Sequence, residues 1–374
     1  MPAMRRKLYL FLLVALLSVP VLPITNYLAK RPPTPTKLNN LDVFFDTDFF
    51  TPLLSWPLYL IGISVDPSQA VVGRNGWLFL GDNNALTITE ARNRTRARDI
   101  AFFGMLNETA EKISERLSGM GVQQTVLLIG PNKSSIYPEM TDHWARPKVT
   151  ERPTDLLNRS VVDPWPEMMK AKRQASSPLY FHSDTHWNGL GAGLAFRKLA
   201  ERLHELDPSL QLPAAEMFSE VSSFAIEGGD LSRFLRLQTY IAGRFLVTGY
   251  LQRQPSTKSY DFGLGTSIPD GVIPSRWRPL RVTSESAINQ RRVLWFRDSF
   301  GDILSPLSAQ MFSDVLHVYW GQAMKDDGRM AQLVKAFQPE IVIFTIVERS
   351  LRDPRCAKPP VDPALSCFRV PRDQ

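Results

Sequence analysis

Two short stretches of this sequence carry the residue types of a nucleophilic site. FHSDTHWN (181–188) places Asp184 two positions before His186, and WFRDSFG (295–301) places Ser299 on a tight turn. A serine hydroxyl becomes a strong nucleophile when an imidazole takes its proton and a carboxylate orients that imidazole. Alternate residues of an extended segment face the same side, so Asp184 and His186 can touch. The pattern predicts acyl transfer, with Ser299 as nucleophile, His186 as base and Asp184 as the partner of the base.

Other interpretations fit the same residues. Asp298 or Ser299 could simply cap the helix that follows, since both residue types accept amide hydrogen bonds there. Asp184 and His186 could be a structural pair. A third possibility is a metal ion on His182, Asp184 and His186, although nothing else in the chain clearly completes a zinc site.

Four further residues are candidates for substrate binding. Asn132 and Lys133 follow a predicted strand, where a cap or a surface turn is the alternative. Arg349 could bind a substrate carboxylate with two hydrogen bonds or could pair with its neighbour Glu348. Trp187 could stack on a sugar ring or pack in the core.

The elements that would position these residues follow a strand–helix alternation. Segments 291–296, 315–320 and 340–347 are apolar strands, and 302–312 and 330–337 are helices, which is the pattern of βαβ units with a parallel sheet. In such sheets the reactive groups collect at the carboxyl ends of strands, here the loops after Ile129, Phe296 and Val347.

Earlier parts of the chain add a hairpin, a strand and two helices. Asn75-Gly76 predicts a hairpin turn, and Thr125–Ile129 predicts a strand covered on both faces. The periodicity predicts helices from about Thr95 to Met120 and from near Asn188. Residues 212–290 predict only an irregular insertion with short strands.

The N-terminus predicts export from the cytoplasm. Arg5, Arg6 and Lys7 precede an apolar run from Leu8 to Ile24, which as a helix would span roughly 25 Å. An uncleaved signal anchor in the inner membrane is favoured over a cleaved signal peptide, and both place the rest in the periplasm. We therefore expect an anchor at 1–29, a linker and partly packed segment at 30–70, a catalytic domain at 71–352 and a Pro-rich tail at 353–374.

The two cysteines of the tail fit the same compartment. Cys356 and Cys367 could form a short disulfide loop in an oxidising environment, and two free thiols are the alternative.

Charge argues against a nucleic-acid partner. The net charge is +7, and the residues flanking the N-terminal run supply five of those positive charges. No basic motif interleaved with aromatic residues is present. The cluster ARNRTRAR (91–98) is either a solvated start of a helix or a patch that attracts an anionic polymer.

Five segments in order resemble one family. GRNGWLFLGD, PNKSSIYPE, SDTHWNGLGA, FRDSFG and VERSL together resemble the alginate O-acetyltransferase family of the AlgJ/AlgX type, over roughly residues 71–352. The resemblance implies an SGNH hydrolase-like three-layer α/β/α sandwich with a central, mainly parallel sheet. It also implies that Ser299, His186 and Asp184 form the triad. Two departures are Arg297, where SGNH proteins have Gly, and Ser350, where the family usually has Tyr.

The same resemblance implies a function and partners. The protein would transfer acetyl groups to hydroxyls of an exopolysaccharide such as alginate, without a cofactor. The acetyl donor would be a membrane-bound O-acyltransferase, and the other partners would be proteins of an exopolysaccharide complex. An acetylesterase using the same residues and a non-catalytic scaffold of that complex are the alternatives.

Overall fold

The computed structural model describes most of residues 51–352. The exceptions are 150, 175–176, 215–222, 226–227, 242–245, 249–254, 264, 269–277 and 324–327; before residue 51, positions 9, 13, 16, 21 and 24 are described. The predicted anchor is therefore almost entirely outside the described residues, and the tail with Cys356 and Cys367 is wholly outside them. Among the helices in the described part of the chain, none is both long enough and apolar enough to span a bilayer.

The strands of the described residues follow one another as short segments. They are β1 (Ala70–Val72), β2 (Leu78–Leu80), β3 (Gln124–Gly130), β4 (Val161–Val162), β5 (Ser223–Ala225), β6 (Leu246–Thr248), β7 (Thr257–Asp261), β8 (Thr266–Ile268), β9 (Leu280–Ser284), β10 (Asn289–Arg297), β11 (Phe312–Tyr319) and β12 (Ile341–Val347).

The α-helices alternate with these strands. They are α1 (Thr51–Leu60), α2 (Thr87–Arg92), α3 (Arg96–Ser118), α4 (Lys133–Ile136), α5 (Trp165–Gln174), α6 (Gly189–Leu206), α7 (Asp230–Phe234), α8 (Ser305–Met311), α9 (Trp320–Ala323), α10 (Arg329–Phe337) and α11 (Glu348–Arg352).

The central sheet has the order β4-β3-β12-β10-β11-β9-β7-β8. The first five strands are parallel to one another, and β9, β7 and β8 extend the sheet with antiparallel pairing. The predicted mainly parallel sheet is thus confirmed. Because β3, β12 and β10 are adjacent and parallel, the loops after Ile129, Val347 and Phe296 meet at one edge.

Both faces of the sheet are covered, as the apolar sequence of β3 requires. Val126 and Leu128 point into a core shared with α5 and α6, whereas Leu127 and Ile129 point into a core shared with α3 and α10. The period-two alternation of a strand sends successive side chains into the two layers. The result is a helix–sheet–helix arrangement, as the family resemblance implied.

A third, smaller cluster lies beside the sheet. The β1–β2 hairpin packs against α7 and the turn after it, and Tyr59 of α1 donates a hydrogen bond from its hydroxyl to the carbonyl of Gly76 at 3.0 Å. The turn between β1 and β2 uses the left-handed conformation at Asn75 (φ 54°) and Gly76 (φ 75°), which these residue types tolerate best.

The sequence-based expectations differ from the structure in two places. The helix predicted over 302–312 is shorter in the structure and runs from Ser305 to Met311. A 3₁₀ turn at residues 299–301 precedes it, and Phe312 already belongs to β11. The segment 212–290 is more regular than expected, since β9 pairs with β11 and β7 pairs with β9. The sequences of β9 (LRVTS) and β7 (TKSYD) mix polar and apolar residues, so they lack the apolar run that marks a central strand.

Candidate active site

Ser299 lies at the carboxyl end of β10, in the 3₁₀ turn Ser299–Gly301. The preceding Asp298 is the cap of this turn: one of its oxygens accepts from the amide of Phe300 at 2.9 Å and the other from the amide of Val347 at 2.7 Å. Because Asp298 makes both hydrogen bonds, Ser299 is not needed as a cap. Its hydroxyl is directed to another partner.

That partner is His186, which comes from a loop 113 positions earlier in the sequence. The Ser299 hydroxyl lies 2.8 Å from Nε2 of His186, and Nδ1 of the same ring lies 2.5 Å from Oδ1 of Asp184. Asp184 also accepts from the backbone amide of His186 at 3.0 Å. The structure therefore brings together all three residues predicted to act as a triad, in the order that proton transfer requires.

The electrostatics of the triad favour a charged Asp184 beside a basic His186. Burial acts to raise the pKa of Asp184, but the hydrogen bond and charge of His186 and the amide of Asp230 hold that pKa well below its usual value. Burial acts to lower the pKa of His186, yet the bond to Asp184 outweighs it and raises the pKa, with Asp230 helping and Arg349 opposing. Asp184 therefore stabilises the imidazolium that forms when Ser299 loses its proton.

Lys133 supports the loop that carries the triad. It is buried, and its Nζ donates to the carbonyls of Phe181, His182 and Asp184 at 2.9, 2.9 and 2.7 Å. Burial lowers the pKa of Lys133 to about 7, against the pull of Asp184 and Asp230. In its ammonium form Lys133 uses all three N–H donors on backbone carbonyls, so it positions the loop and has no donor left for a substrate.

Asn132 and Arg349 follow the neighbouring strands β3 and β12 and line a small cleft beside the loop that carries Asp184 and His186. With Lys133 and Thr185 they are among the residues that line it. Oδ1 of Asn132 is buried without a hydrogen-bond partner among the described residues. The guanidinium of Arg349 lies 5.4 Å from the centre of the Phe300 ring. Asn132 and Arg349 therefore remain the candidates for substrate binding.

The alternative pairing of Arg349 with Glu348 is wrong for this structure. Glu348 is fully buried and instead pairs with Arg152 and, at 3.1 Å, with Arg352. It also accepts from the amide of Asn132 at 3.0 Å, which fixes the loop after β3 to the end of β12. Burial acts to raise the pKa of Glu348, but the surrounding arginines keep it far below its usual value.

The predicted sugar contact of Trp187 is also wrong. The indole is completely buried, its Nε1 donates to the carbonyl of Phe300 at 3.1 Å, and its ring packs edge-on against Phe300 at 4.9 Å. Trp187 therefore fixes the turn that carries Ser299. Burial was not visible in the sequence, because the indole of a tryptophan in a loop before a helix can face either way.

The metal interpretation is not supported in the form proposed. His182 stacks on Trp77 with ring centres 4.3 Å apart, and it is not one of the clustered potential ligands. Among the described residues, the donor atoms that cluster within 4.8 Å belong to Asp184, His186 and Asp230. All three are accounted for by the hydrogen bonds of the triad loop.

The arginine cluster at 91–98 divides into two groups. Arg94 is buried and pairs with Asp99 at 2.8 Å, so it is not part of a surface patch. Arg92, Arg96 and Arg98 are exposed, and Arg98 pairs with a glutamate of α2. If the segment 91–98 attracts an anionic polymer, the exposed Arg92, Arg96 and Arg98 form the patch, without Arg94.

Sequence reasoning missed Asp230 and Thr185. Thr185 donates from its amide and its hydroxyl to the two oxygens of Asp230, at 2.8 and 2.6 Å. The only local signal is Gly228-Gly229-Asp230, a glycine pair before a potential helix cap, in a region where no regular pattern was found.

Comparisons with known proteins show similarity to O-acetyltransferases. Residues 70–249 match the model of a family described as the SGNH hydrolase-like domain of the acetyltransferase AlgX. The chain is 24% identical to a probable alginate O-acetylase AlgJ of Pseudomonas putida, over 75% of this chain and 70% of that protein. It is 27% identical to a probable alginate O-acetylase AlgJ of Pseudomonas aeruginosa, over 45% of this chain and 41% of that protein.

A solved structure also shares the fold. The structure of PatB1 from Bacillus cereus superposes with a TM-score of 0.52 at 16% identity, covering 76% of this chain and 97% of that chain.

Proposed function

We propose that this chain, which matches the SGNH hydrolase-like domain of the acetyltransferase AlgX over residues 70–249 and is similar to probable alginate O-acetylases AlgJ, transfers acetyl groups to hydroxyls of an exopolysaccharide through an acetyl-serine at Ser299. The observation that carries the proposal is the continuous chain of contacts from the Ser299 hydroxyl through His186 to Asp184, at 2.8 and 2.5 Å. Alginate is the polymer named for two relatives, and we extend it to this chain as the first substrate to test.

The first half of the reaction forms the acetyl-enzyme. Nε2 of His186 takes the Ser299 proton while Oγ attacks the carbonyl carbon of the donor, giving a tetrahedral oxyanion. Collapse of this intermediate breaks the bond to the donor oxygen, which leaves with the proton held by His186. Asp184 stays ionised throughout and accepts the hydrogen bond from Nδ1.

The second half transfers the acetyl group to the polymer. A sugar hydroxyl gives its proton to His186 and attacks the acetyl-serine, and Ser299 leaves with that proton. Of the amides in the turn, those of Phe300 and Gly301 are bonded to Asp298. Besides the amide of Ser299 itself, we assign the task of meeting substrate oxygens to the side chains of Asn132 and Arg349, which line the cleft.

The location and the donor are parts of the same proposal. The basic and apolar residues at the N-terminus support an anchor in the inner membrane with the catalytic domain in the periplasm. A membrane-bound O-acyltransferase would then supply the acetyl group, and proteins of the export complex would be neighbours.

The experiment compares wild type with Ser299→Ala in cells that lack the native gene. We expect wild type to restore acetylation of the polymer and Ser299→Ala to restore none, with equal protein levels. Acetylation that persists with Ser299→Ala would favour a non-catalytic scaffold instead. For the purified protein, a labelled acetyl donor with oligosaccharide present should give labelled oligosaccharide; release of free acetate alone would identify an esterase.

A further inference from the structure

The loop that carries Asp184 and His186 is held from two sides. On one side, Lys133 binds three of its carbonyls, as described above. On the other side lies a segment that contains Gly229, Asp230 and Ser232 and that reaches the loop from about 45 residues further along the chain. The sequence pattern gave this segment no role.

Five hydrogen bonds join this segment to the loop. Three run from its amides: Gly229 to the hydroxyl of Ser183 at 3.0 Å, Asp230 to Oδ2 of Asp184 at 3.0 Å, and Ser232 to the carbonyl of Ser183 at 3.2 Å. The other two run from the amide and hydroxyl of Thr185 to the carboxylate of Asp230. Asp230 therefore binds both residues that precede His186. Its backbone amide binds Asp184, and its side-chain carboxylate binds Thr185.

We propose that Asp230 is a positioning residue of the site, which fixes the Asp184–His186 pair and adds a second negative charge behind the imidazole. Its Oδ2 lies 3.8 Å from Nδ1 of His186. The Asp184 oxygen that does not touch His186 accepts the amide of Asp230, so rotation of the Asp184 carboxylate would break hydrogen bonds at both of its oxygens. The inference rests on the proposed acyl-transfer function and names a residue that serves it.

Close packing allows this arrangement only with glycine before Asp230. A Cβ at Gly229 would lie 2.5 Å from Oδ2 of Asp184, which is too close for any side chain. Behind it, Leu231 and Leu235 pack with the β1–β2 hairpin in the third cluster and anchor the segment. The small cluster beside the sheet therefore serves as the support for Asp230.

The charges around the imidazole give the proposal a measurable consequence. Asp184 and Asp230 both raise the pKa of His186, whereas burial and Arg349 lower it. Burial and the charge of Asp184 also raise the pKa of Asp230 itself, against the charge of His186 and the hydrogen bonds from Thr185. Asp230 therefore adds its charge only at pH values above its own raised pKa. The other charged groups at this edge are Lys133 and Asp298. Removal of the Asp230 charge should lower the pKa of His186, which a purely structural contribution to folding would not do.

The test uses Asp230→Asn, which keeps the shape of the side chain and an acceptor for Thr185 but removes the charge. Titration of the His186 ring by NMR should give a lower pKa in Asp230→Asn than in wild type. With an aryl acetate as donor, kcat should fall roughly ten- to a hundredfold, the range for groups that orient a reacting residue. KM should change little, and the acidic limb of kcat/KM should move to lower pH.

The matched control is Ser232→Ala. It removes a buried hydrogen bond of 2.6 Å to the carbonyl of Gly229 in the same turn but leaves the Asp230 carboxylate in place. We expect no shift of the His186 pKa in this variant. Should Asp230→Asn fail to fold, Asp230→Ser retains an acceptor at the start of α7 and carries the same expectation.

The outcomes separate this inference from the proposed function. An unchanged His186 pKa and an unchanged kcat in a folded Asp230→Asn protein would overturn the role of Asp230, even if Ser299→Ala is inactive. Full aryl acetate turnover by Ser299→Ala would overturn the proposed function, while the NMR titration would still decide whether Asp230 acts on His186.

Discussion

At the scale of single residues, the site is defined by which polar groups are committed and which are available. Asp298 takes the capping hydrogen bonds, so Ser299 can face His186. Lys133 has its donors on backbone carbonyls, whereas Arg349 faces the cleft. The chemistry of the site therefore depends on which polar side chains already have hydrogen-bond partners within the protein.

One prediction concerns pH. Since His186 must be neutral to accept the Ser299 proton and its pKa is raised above 6.5 by Asp184, kcat/KM should fall as pH decreases through that raised value. Rates of aryl acetate cleavage from pH 5 to 9 measure this. An acidic limb well below the ordinary pKa of histidine would contradict the assigned effect of Asp184.

A second prediction concerns Arg349. If it binds a carboxylate of an acidic polymer, Arg349→Gln should raise KM for uronate oligomers by roughly tenfold or more, the loss of one charge-assisted contact. Turnover of a small neutral aryl acetate should change much less. Arg352→Gln is unsuitable as a control because Arg352 pairs with Asp99 and Glu348, so exposed Arg96→Gln is used instead. Equal effects on both substrates would exclude a selective role for Arg349 in carboxylate binding.

At the scale of elements, the site depends on strand ends and on one loop between them. The parallel strands β3, β12 and β10 bring Asn132, Arg349 and Ser299 to a common edge. The loop at 181–187 is irregular, and its shape is maintained by Lys133 on one side and by Asp230 on the other. Its stability therefore depends on contacts that are far away in sequence.

The prediction at this scale is a substitution of Lys133. Lys133→Met leaves three buried carbonyls without their donor. It should lower the free energy of unfolding by about 3–5 kcal/mol, as expected when one partner of a buried polar contact is removed. Loss of activity should accompany the lower midpoint of urea unfolding. The control is Lys172→Met. The amine of Lys172 binds the carbonyl of Ile136 and the carboxylate of Glu139 near the surface, so its loss should lower the free energy of unfolding by about 1 kcal/mol. Equal costs for the two variants would contradict the support assigned to Lys133.

At the scale of the whole molecule, a buried ionic network ties the edge of the sheet to the surrounding layers. Glu348 binds Arg152 and Arg352, Arg152 binds Asp163 at 2.6 Å, and Arg352 binds Asp99 of α3 at 2.9 Å. These residues come from four separate parts of the chain. The network holds the ends of β12 and β3 in register at the point where the cleft begins.

The prediction at this scale concerns stability and pH. Glu348→Gln should destabilise the protein by about 3–5 kcal/mol at neutral pH, since it leaves buried arginines without a counter-charge. The pKa of Glu348 in the folded state is depressed below its ordinary value of 4.5, so its stabilising effect is present above pH 4.5 and is lost as pH falls towards the folded-state value. Denaturation at several pH values should show the difference between wild type and variant shrinking at acidic pH. A difference that is constant down to the lowest pH would contradict this assignment.

The sequence by itself determined the reactive residue types and the elements that end beside them. Apolar strands and amphipathic helices have local periods, and the carboxyl ends of adjacent parallel strands must share one edge, so the meeting of Ser299 with the loops after β3 and β12 could be predicted. The start of the helix near Asn188 and the turn at Asn75-Gly76 were also local signals, and both are confirmed.

Only the tertiary structure decided which polar groups are buried and what they hold. Lys133, Glu348 and Trp187 look like surface or substrate-facing residues in sequence, yet packing encloses all three. Asp230 reaches the triad from a segment without any regular pattern. Such contacts join positions that are far apart in the chain, and their geometry depends on how irregular segments fill the space above the sheet edge, which no local pattern of residues encodes.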